Sequence, residues 1–166
     1  MIKIDENLFV GSLADYESNQ SDEDFYFVQA CKEPCHRKAL GYTGRSADQN
    51  DPEYLMAYRD RRLILNMVDV ANGKYFDHSM FVNSLAFIDE HLQNGKKVLI
   101  HCNLGISRSP SIGLLYLATK GKINNENFKA AEEDFVKIYP SYAPSGIKEF
   151  LTLNWDYFFP ELNEKS

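Results

Sequence analysis

Cysteine is scarce in this chain: Cys31, Cys35 and Cys102 are the three present in 166 residues. An odd, low number excludes the kind of disulfide framework that staples small secreted domains. In a reducing compartment each of the three is then either core filler or chemistry. Long apolar runs are missing too, and no stretch approaches the roughly 20 residues that cross a bilayer as a helix. The first residues, Met1-Ile2-Lys3-Ile4-Asp5-Glu6, turn acidic at once and lack the apolar region of a secretory signal. A cytoplasmic location with no membrane partner is the expectation. Positive charge is not in surplus. The formal net charge is −6, whereas broad binding to nucleic acid needs clustered Lys and Arg. No nucleic-acid partner is expected, although a small basic pocket is compatible with this balance. Repeats, low-complexity tracts and linkers are also lacking, so one domain over residues 1–166 is expected.

What remains is an ordinary globular composition, 44% apolar and 25% charged, in a chain long enough to bury a core without staples. Asn7-Leu8-Phe9-Val10 reads as a short strand ending at Gly11. Phe25-Tyr26-Phe27-Val28-Gln29-Ala30 is aromatic and β-branched, which favours a strand. Residues 31–61 are polar and turn-rich, and Asp51-Pro52-Glu53 looks like the start of a short helix. Leu63-Ile64-Leu65-Asn66-Met67-Val68 has the composition of a strand buried on both faces. Phe81, Leu85, Ile88 and Leu92 fall on one face of a helix over about 79–94, capped by Ser79 and stopped at Asn94-Gly95. A strand over Lys97-Val98-Leu99-Ile100-His101 follows, then helices near 110–120, 125–138 and 146–159. This alternation predicts an α/β fold with a central, mostly parallel sheet of about four to five strands flanked by helices.

The informative segment lies between the last strand and the first of those helices. It reads His101-Cys102-Asn103-Leu104-Gly105-Ile106-Ser107-Arg108-Ser109-Pro110. Pro110 suits the first position of a helix and Ser109 its cap. The loop 102–108 would then sit on a helix N-terminus, where backbone N–H groups and the helix dipole favour an anion such as a phosphate. A thiol, ordinarily titrating near pH 8.5, becomes a nucleophile in such a place. Cys102 opens the loop and Arg108 closes it, so both can face one anion. A guanidinium fork matches two phosphate oxygens. Gly105 lets the backbone turn tightly past the anion. Asn103, Leu104, Gly105, Ile106 and Ser107 are the candidate substrate-binding residues. Ser109 can hydrogen-bond the thiolate and help it leave.

This segment resembles the His-Cys-x-x-Gly-x-x-Arg-Ser signature of protein tyrosine phosphatases, and the chain is most similar to their dual-specificity branch. Asn7 to Ser12 looks like that branch's first strand. Tyr75-Phe76 and Phe87-Ile88-Asp89 look like the helix before its catalytic strand. Tyr116-Leu117 and Ala143-Pro144-Ser145-Gly146 resemble its following helix and the turn before its last helix. Two departures stand out. Leu115-Tyr116-Leu117-Ala118 replaces the usual Ala-Tyr-Leu-Met, a packing change. The segment 31–61 is longer and more distinctive than the family's connection there, and it is a place where substrate choice can be set. The resemblance implies a cysteine-dependent phosphomonoesterase with a cysteinyl-phosphate intermediate and no metal or cofactor. It also implies a phosphorylated protein as partner, carrying phosphotyrosine, phosphoserine or phosphothreonine. The family's general acid sits on the loop after the strand 63–68, which implies Asp69, with Asp77 as the rival.

Other readings stand beside this one. A phosphoinositide phosphatase or an RNA 5′-phosphatase of the same superfamily shares the motif, but the net charge and the lack of Lys in the loop weigh against both. A non-catalytic phosphate-binding module is the alternative from a different class. Cys31, Cys35 and His36 form a weak metal signal, because zinc wants about four ligands, and no metal site is expected. Lys32, Arg37 and Arg45 can line the pocket from the loop after the strand 25–30. His36 and His78 read as surface residues, and His101 as a hydrogen-bonding residue within the loop.

Overall fold

The computed structural model describes residues 1–160. Six strands form one sheet in the order β1-β2-β6-β3-β5-β4. They are β1 (Ile2–Asp5), β2 (Leu8–Gly11), β3 (Phe25–Gln29), β4 (Met56–Arg59), β5 (Arg62–Leu65) and β6 (Lys97–His101). The four central strands are mutually parallel: β2 with β6, β6 with β3, and β3 with β5. The edges β1 and β4 pair antiparallel. The predicted α/β class therefore stands, with one or two more strands than expected. Both additional strands are short edges reached by tight hairpins, whose turns place Asn7 and Asp60 at φ 58° and 51°.

Helices cover both faces. α1 (Leu13–Asn19) and the short α2 (Arg37–Leu40) lie on one side. α3 (His78–Gln93), α4 (Arg108–Thr119), α5 (Phe128–Ile138) and α6 (Gly146–Phe158) lie on the other. Alternation along the strands divides the core accordingly. Val98 and Ile100 of β6 join the large cluster with α3 to α6, while Leu99 packs with Phe25, Phe27 and Tyr16 on the α1 side. α4 is buried from Arg108 to Ala118, as a helix apolar all round must be. Its approach to the sheet is close. A Cβ on Gly113 would lie 2.9 Å from both Ile4 Cδ1 and Val10 Cγ2.

Several boundaries differ from expectation for local reasons. Asp51-Pro52-Glu53 starts no helix. The Asp51 carboxylate accepts from the Glu53 amide at 2.8 Å, and its carbonyl from Tyr54 N at 2.9 Å, so the side chain closes a turn instead. α3 is capped by Asp77, whose carboxylate accepts from Ser79 N at 2.8 Å. α4 begins at Arg108 with Ser107 at the N-cap, which puts Ser109 inside the helix rather than at its cap. β5 ends at Leu65, short of Val68. Beyond it the Met67 carbonyl turns to other partners, accepting from Lys32 N at 2.9 Å and Arg108 Nη1 at 3.0 Å. Among the described residues, no helix is long and apolar enough to cross a membrane.

Candidate active site

The carboxyl ends of β2, β3 and β6 lie side by side, with Gly11 beside His101 and Gln29 on its other side. The loop 102–107 emerges there and runs directly into α4. Two bonds to one carbonyl hold its entry and exit. Gly11 O accepts from Cys102 N at 3.4 Å and from Ser109 Oγ at 3.0 Å. Gly105, at φ +75°, turns the loop against this same point. A Cβ there would sit 2.9 Å from the Gly11 carbonyl carbon and oxygen, so glycine is required both conformationally and sterically. The outer side is held by Tyr139, whose hydroxyl donates to Gly105 O at 2.5 Å, and by Ala143 N, which donates to Ile106 O at 2.8 Å.

Within this frame the predicted residues converge. The thiol of Cys102, 2% exposed, lies 3.1 Å from Ser109 Oγ. The one hydroxyl hydrogen of Ser109 thus has two claimants, Gly11 O and Cys102 Sγ, and an ionised sulfur would draw it. Arg108 is also buried. Its Nη1 donates to Met67 O at 3.0 Å and its Nη2 to Asn103 Oδ1 at 2.6 Å, while Nε has no partner among the described residues. Among the described residues, none of the amides from Asn103 to Ser107 donates a hydrogen bond to the protein. A buried guanidinium N–H and a run of free amides above a helix N-terminus form an anion cradle by the logic of unsatisfied donors. Leu104 is 75% exposed and stands at the rim, with Ile106 also exposed beside it.

Asp69 is exposed and tied to the cradle, its Oδ1 accepting from Ser107 Oγ at 3.1 Å. Ser107 Oγ in turn accepts from Ser145 N at 3.1 Å. The loop carrying Asp69 is fastened further by Gly146 N, which donates to Val70 O at 2.9 Å. That approach is possible only for glycine, because a Cβ at 146 would lie 2.3 Å from Val70 O. Asp77 is engaged elsewhere, capping α3 and accepting from Ser79 Oγ at 2.5 Å.

The segment 31–61 reaches the cradle through backbone rather than through its cations. Glu33 O accepts from Asn103 Nδ2 at 2.8 Å, so Asn103 links Glu33 to Arg108. Arg37 is spent on Glu33 Oε1 at 2.7 Å and on the carbonyls of Tyr42 and Gly44. Lys32 Nζ donates to Arg45 O. None of these contacts places a Lys32, Arg37 or Arg45 charge on the loop 102–107. His36 is buried, not on the surface, with Nδ1 paired to Tyr42 OH at 3.0 Å and Nε2 to Glu53 O at 2.9 Å. His101 is buried as well and stacks on Tyr16 at 4.9 Å. Burial pushes its imidazole down to about 4, so the ring is neutral at physiological pH. The amide nitrogen of Gln29 lies 3.0 Å from His101 Nε2, which must then accept, leaving Nδ1–H to donate to Cys102 O at 3.3 Å. Behind the loop, ligand atoms of Cys31, Cys35 and His101 lie within 4.8 Å of one another. The contributions of Gly11, Glu33, Met67 and Tyr139 carry no signal in the local sequence, since each acts through its backbone or through one distant hydroxyl.

Comparison with known proteins agrees with the geometry. The family model for the dual specificity phosphatase catalytic domain matches residues 49–139, just over half of the chain. The chain is 36% identical over 90 residues to dual specificity protein phosphatase YVH1 of Plasmodium falciparum, an alignment covering 53% of this chain and 15% of that protein. It is 40% identical over 60 residues to human dual specificity protein phosphatase 5, covering 36% of this chain and 14% of that one. These curated relatives are thus far longer than the part that the chain matches. Among solved structures, DUSP15 superposes with a TM-score of 0.66 at 17% identity, over 100% of this chain and 96% of that one. PTPMT1 superposes with a TM-score of 0.63 at 18% identity, over 98% of each. At such identity these two likenesses speak to the fold.

Proposed function

This chain belongs to the dual specificity phosphatase family, and on that premise we propose that it hydrolyses phosphomonoesters through Cys102. The thiolate of Cys102 attacks phosphorus and the ester P–O bond breaks. Asp69, as the acid, gives its proton to the departing oxygen. Arg108 and the amides of Asn103 to Ser107 hold the three equatorial oxygens as charge builds on them. A cysteinyl-phosphate remains. Water then attacks it and loses a proton to the Asp69 carboxylate, releasing inorganic phosphate and the thiolate. Ser109 turns its hydroxyl hydrogen toward sulfur as the S–P bond breaks.

The observation that carries this reading is the gathering in one loop of Cys102 Sγ, a serine hydroxyl 3.1 Å away, the unpartnered Arg108 Nε and the free loop amides. We propose a phosphorylated protein as substrate. The exposed Leu104 supports a low rim that admits phosphoserine and phosphothreonine as well as phosphotyrosine. A cytoplasmic setting, and a role for the segment 31–61 in substrate choice through the Glu33–Asn103 link, belong to the same proposal.

The test is hydrolysis of a small aryl phosphate in the presence of chelator. Turnover is expected to persist there and to stop with vanadate. Cys102→Ser is expected to lose turnover but retain oxyanion binding. Appreciable turnover by Cys102→Ser, or activity that vanishes in chelator and returns with a divalent ion, refutes the mechanism.

A further inference from the structure

Three side chains with no part in that chemistry meet behind the loop. Cys31 follows β3, Cys35 sits in the irregular turn Lys32–His36, and His101 ends β6. All are buried, and their two sulfurs and an imidazole nitrogen lie within 4.8 Å of one another. The nonlocal partner in this group is set by strand register. Gln29 of β3 is opposite His101 of β6, so the chain leaving β3 passes its next residues beside that histidine.

We propose that Cys31, Cys35 and His101 form a zinc-binding site beside the loop that carries the phosphate cradle. The donor set is the one zinc prefers, thiolate and imidazole. Zinc–sulfur bonds of about 2.3 Å and zinc–nitrogen bonds of about 2.0–2.1 Å place tetrahedral ligand atoms roughly 3.5–3.8 Å apart. The three groups therefore need to draw together by at most about 1–1.3 Å. Binding releases the two thiol protons to solvent, and the resulting thiolates neutralise the ion, which removes the main objection to a divalent charge in a buried place.

An independent observation points to a fourth ligand. Gln29 is 1% exposed, and its Oε1 has no hydrogen-bond partner among the described residues although its amide nitrogen faces His101 Nε2. A buried carbonyl oxygen without a donor is costly. Turning that amide about its last side-chain bond brings the oxygen to the His101 side, where a cation would satisfy it. The rest of the surroundings suits a ligand site. His101 Nδ1–H is fixed on Cys102 O and its ring on Tyr16, the support that metal-binding imidazoles use. A cavity of about 270 Å³, lined by Leu13, Tyr16, Gln29, Cys35 and Arg62 among others, leads from the surface to Cys35 and gives an entry path. A bound ion would join β3, the turn 32–36 and β6.

The experiment uses the full chain carrying Cys102→Ser, so that the only thiols are the proposed ligands, reduced and freed of metal by chelator. Cobalt(II) is titrated in and then displaced with zinc. One equivalent of cobalt is expected to give tetrahedral d–d absorption and thiolate-to-cobalt charge transfer, both erased by zinc. Cys35→Ser added to that background is expected to remove the charge-transfer signal from a protein that stays folded. Gln29→Leu is expected to weaken binding by about 10–100-fold, as loss of a supporting group does. Absence of charge transfer in the Cys102→Ser protein, or its survival in Cys35→Ser, overturns the proposal. Should Cys35→Ser not fold, thiol counting on the native chain decides. Zinc must protect two of the three thiols from a disulfide reagent, and equal reactivity with and without zinc overturns it. Because Cys102 is absent from the optical measurement, its result is separate from that of the phosphatase reading.

Discussion

Replacing Arg108 with lysine separates the two tasks that its guanidinium performs. One is structural: Nη1 and Nη2 hold Met67 O at 3.0 Å and Asn103 Oδ1 at 2.6 Å. The other, under the proposed mechanism, is to present donors to the anion in a fixed plane, Nε among them. Lysine keeps the charge but offers a single mobile ammonium. The structural loss is limited, because Met67 O also accepts from Lys32 N at 2.9 Å and is not orphaned, and the ammonium can keep one of the two bonds. The other, a hydrogen bond from a charged donor, costs about 1.5–3 kcal/mol, which in a chain of this size lowers Tm by about 3–12 °C. The kinetic loss is larger. Removal of one preorganised transition-state donor costs about 3–4 kcal/mol, or roughly 10²–10³ in kcat. Thermal unfolding and steady-state hydrolysis, with an activated and an unactivated aryl phosphate, read the two effects separately. The expected result is a fall of about 10²–10³ in kcat on both substrates with a folded protein at the assay temperature. Near-normal rates would remove Arg108 from the clamp. A rate loss that tracks unfolding would reduce it to a structural role.

Four other substitutions test the same contacts. Asp69→Asn is expected to slow a poor leaving group by roughly 10²–10⁴-fold while sparing an activated aryl phosphate. Asp77→Ala is expected to cost about 1 kcal/mol as a lost helix cap with no such leaving-group dependence, and a reversal of the two patterns in paired assays reassigns the acid. Ser109→Ala is expected to slow dephosphorylation more than phosphorylation, so rapid-quench measurements should find phosphoenzyme accumulating, and an unchanged steady-state level speaks against the proposed role. Gly146→Ala drives a Cβ to within 2.3 Å of Val70 O. It is expected to cost about 1–3 kcal/mol as overpacking and to impair the poor leaving group by moving Asp69. Calorimetry showing wild-type stability would mean that the 69–71 loop yields freely.

The central strands were legible because burial on both faces leaves apolar runs, as in Leu63-Ile64-Leu65 and Val98-Leu99-Ile100. The edges were not. β1 buries only Ile4, and β4 carries an exposed Tyr58 between Ala57 and Arg59, so neither shows the pattern that a two-sided strand must have. α1 did carry a local sign, the capping box of Ser12 and Asp15, but only seven residues follow it and none is buried. The α4 boundary failed for a chemical reason. Serine before proline is a sound cap by propensity, yet the Ser109 hydroxyl is held by Gly11 O and Cys102 Sγ. With the helix beginning at Arg108, Pro110 still lies in the first turn, where its missing N–H costs nothing.

The site divides in the same way. Residue types single out the proposed nucleophile, its arginine and the loop glycine, because the proposed chemistry admits few substitutes. They do not reveal what holds them in place. Arg108 is positioned by Met67 and Asn103, and Asn103 by Glu33, seventy residues earlier in the chain. The cations of the segment 31–61 drew attention as pocket residues, but Arg37 pairs with Glu33 and so shapes the turn that presents the Glu33 carbonyl. That ion pair is half exposed and of small worth by itself. Its effect comes through geometry, since it closes the short path from Glu33 to Tyr42 and Gly44. A cradle whose donors must stay unpaired until an anion arrives cannot stabilise itself. Its stiffness has to come from elements outside the loop, and here those are the β2 end, the turn 32–36 and the α5–α6 connection. Sequence variation in these supports can therefore alter activity while leaving the segment His101 to Pro110 untouched.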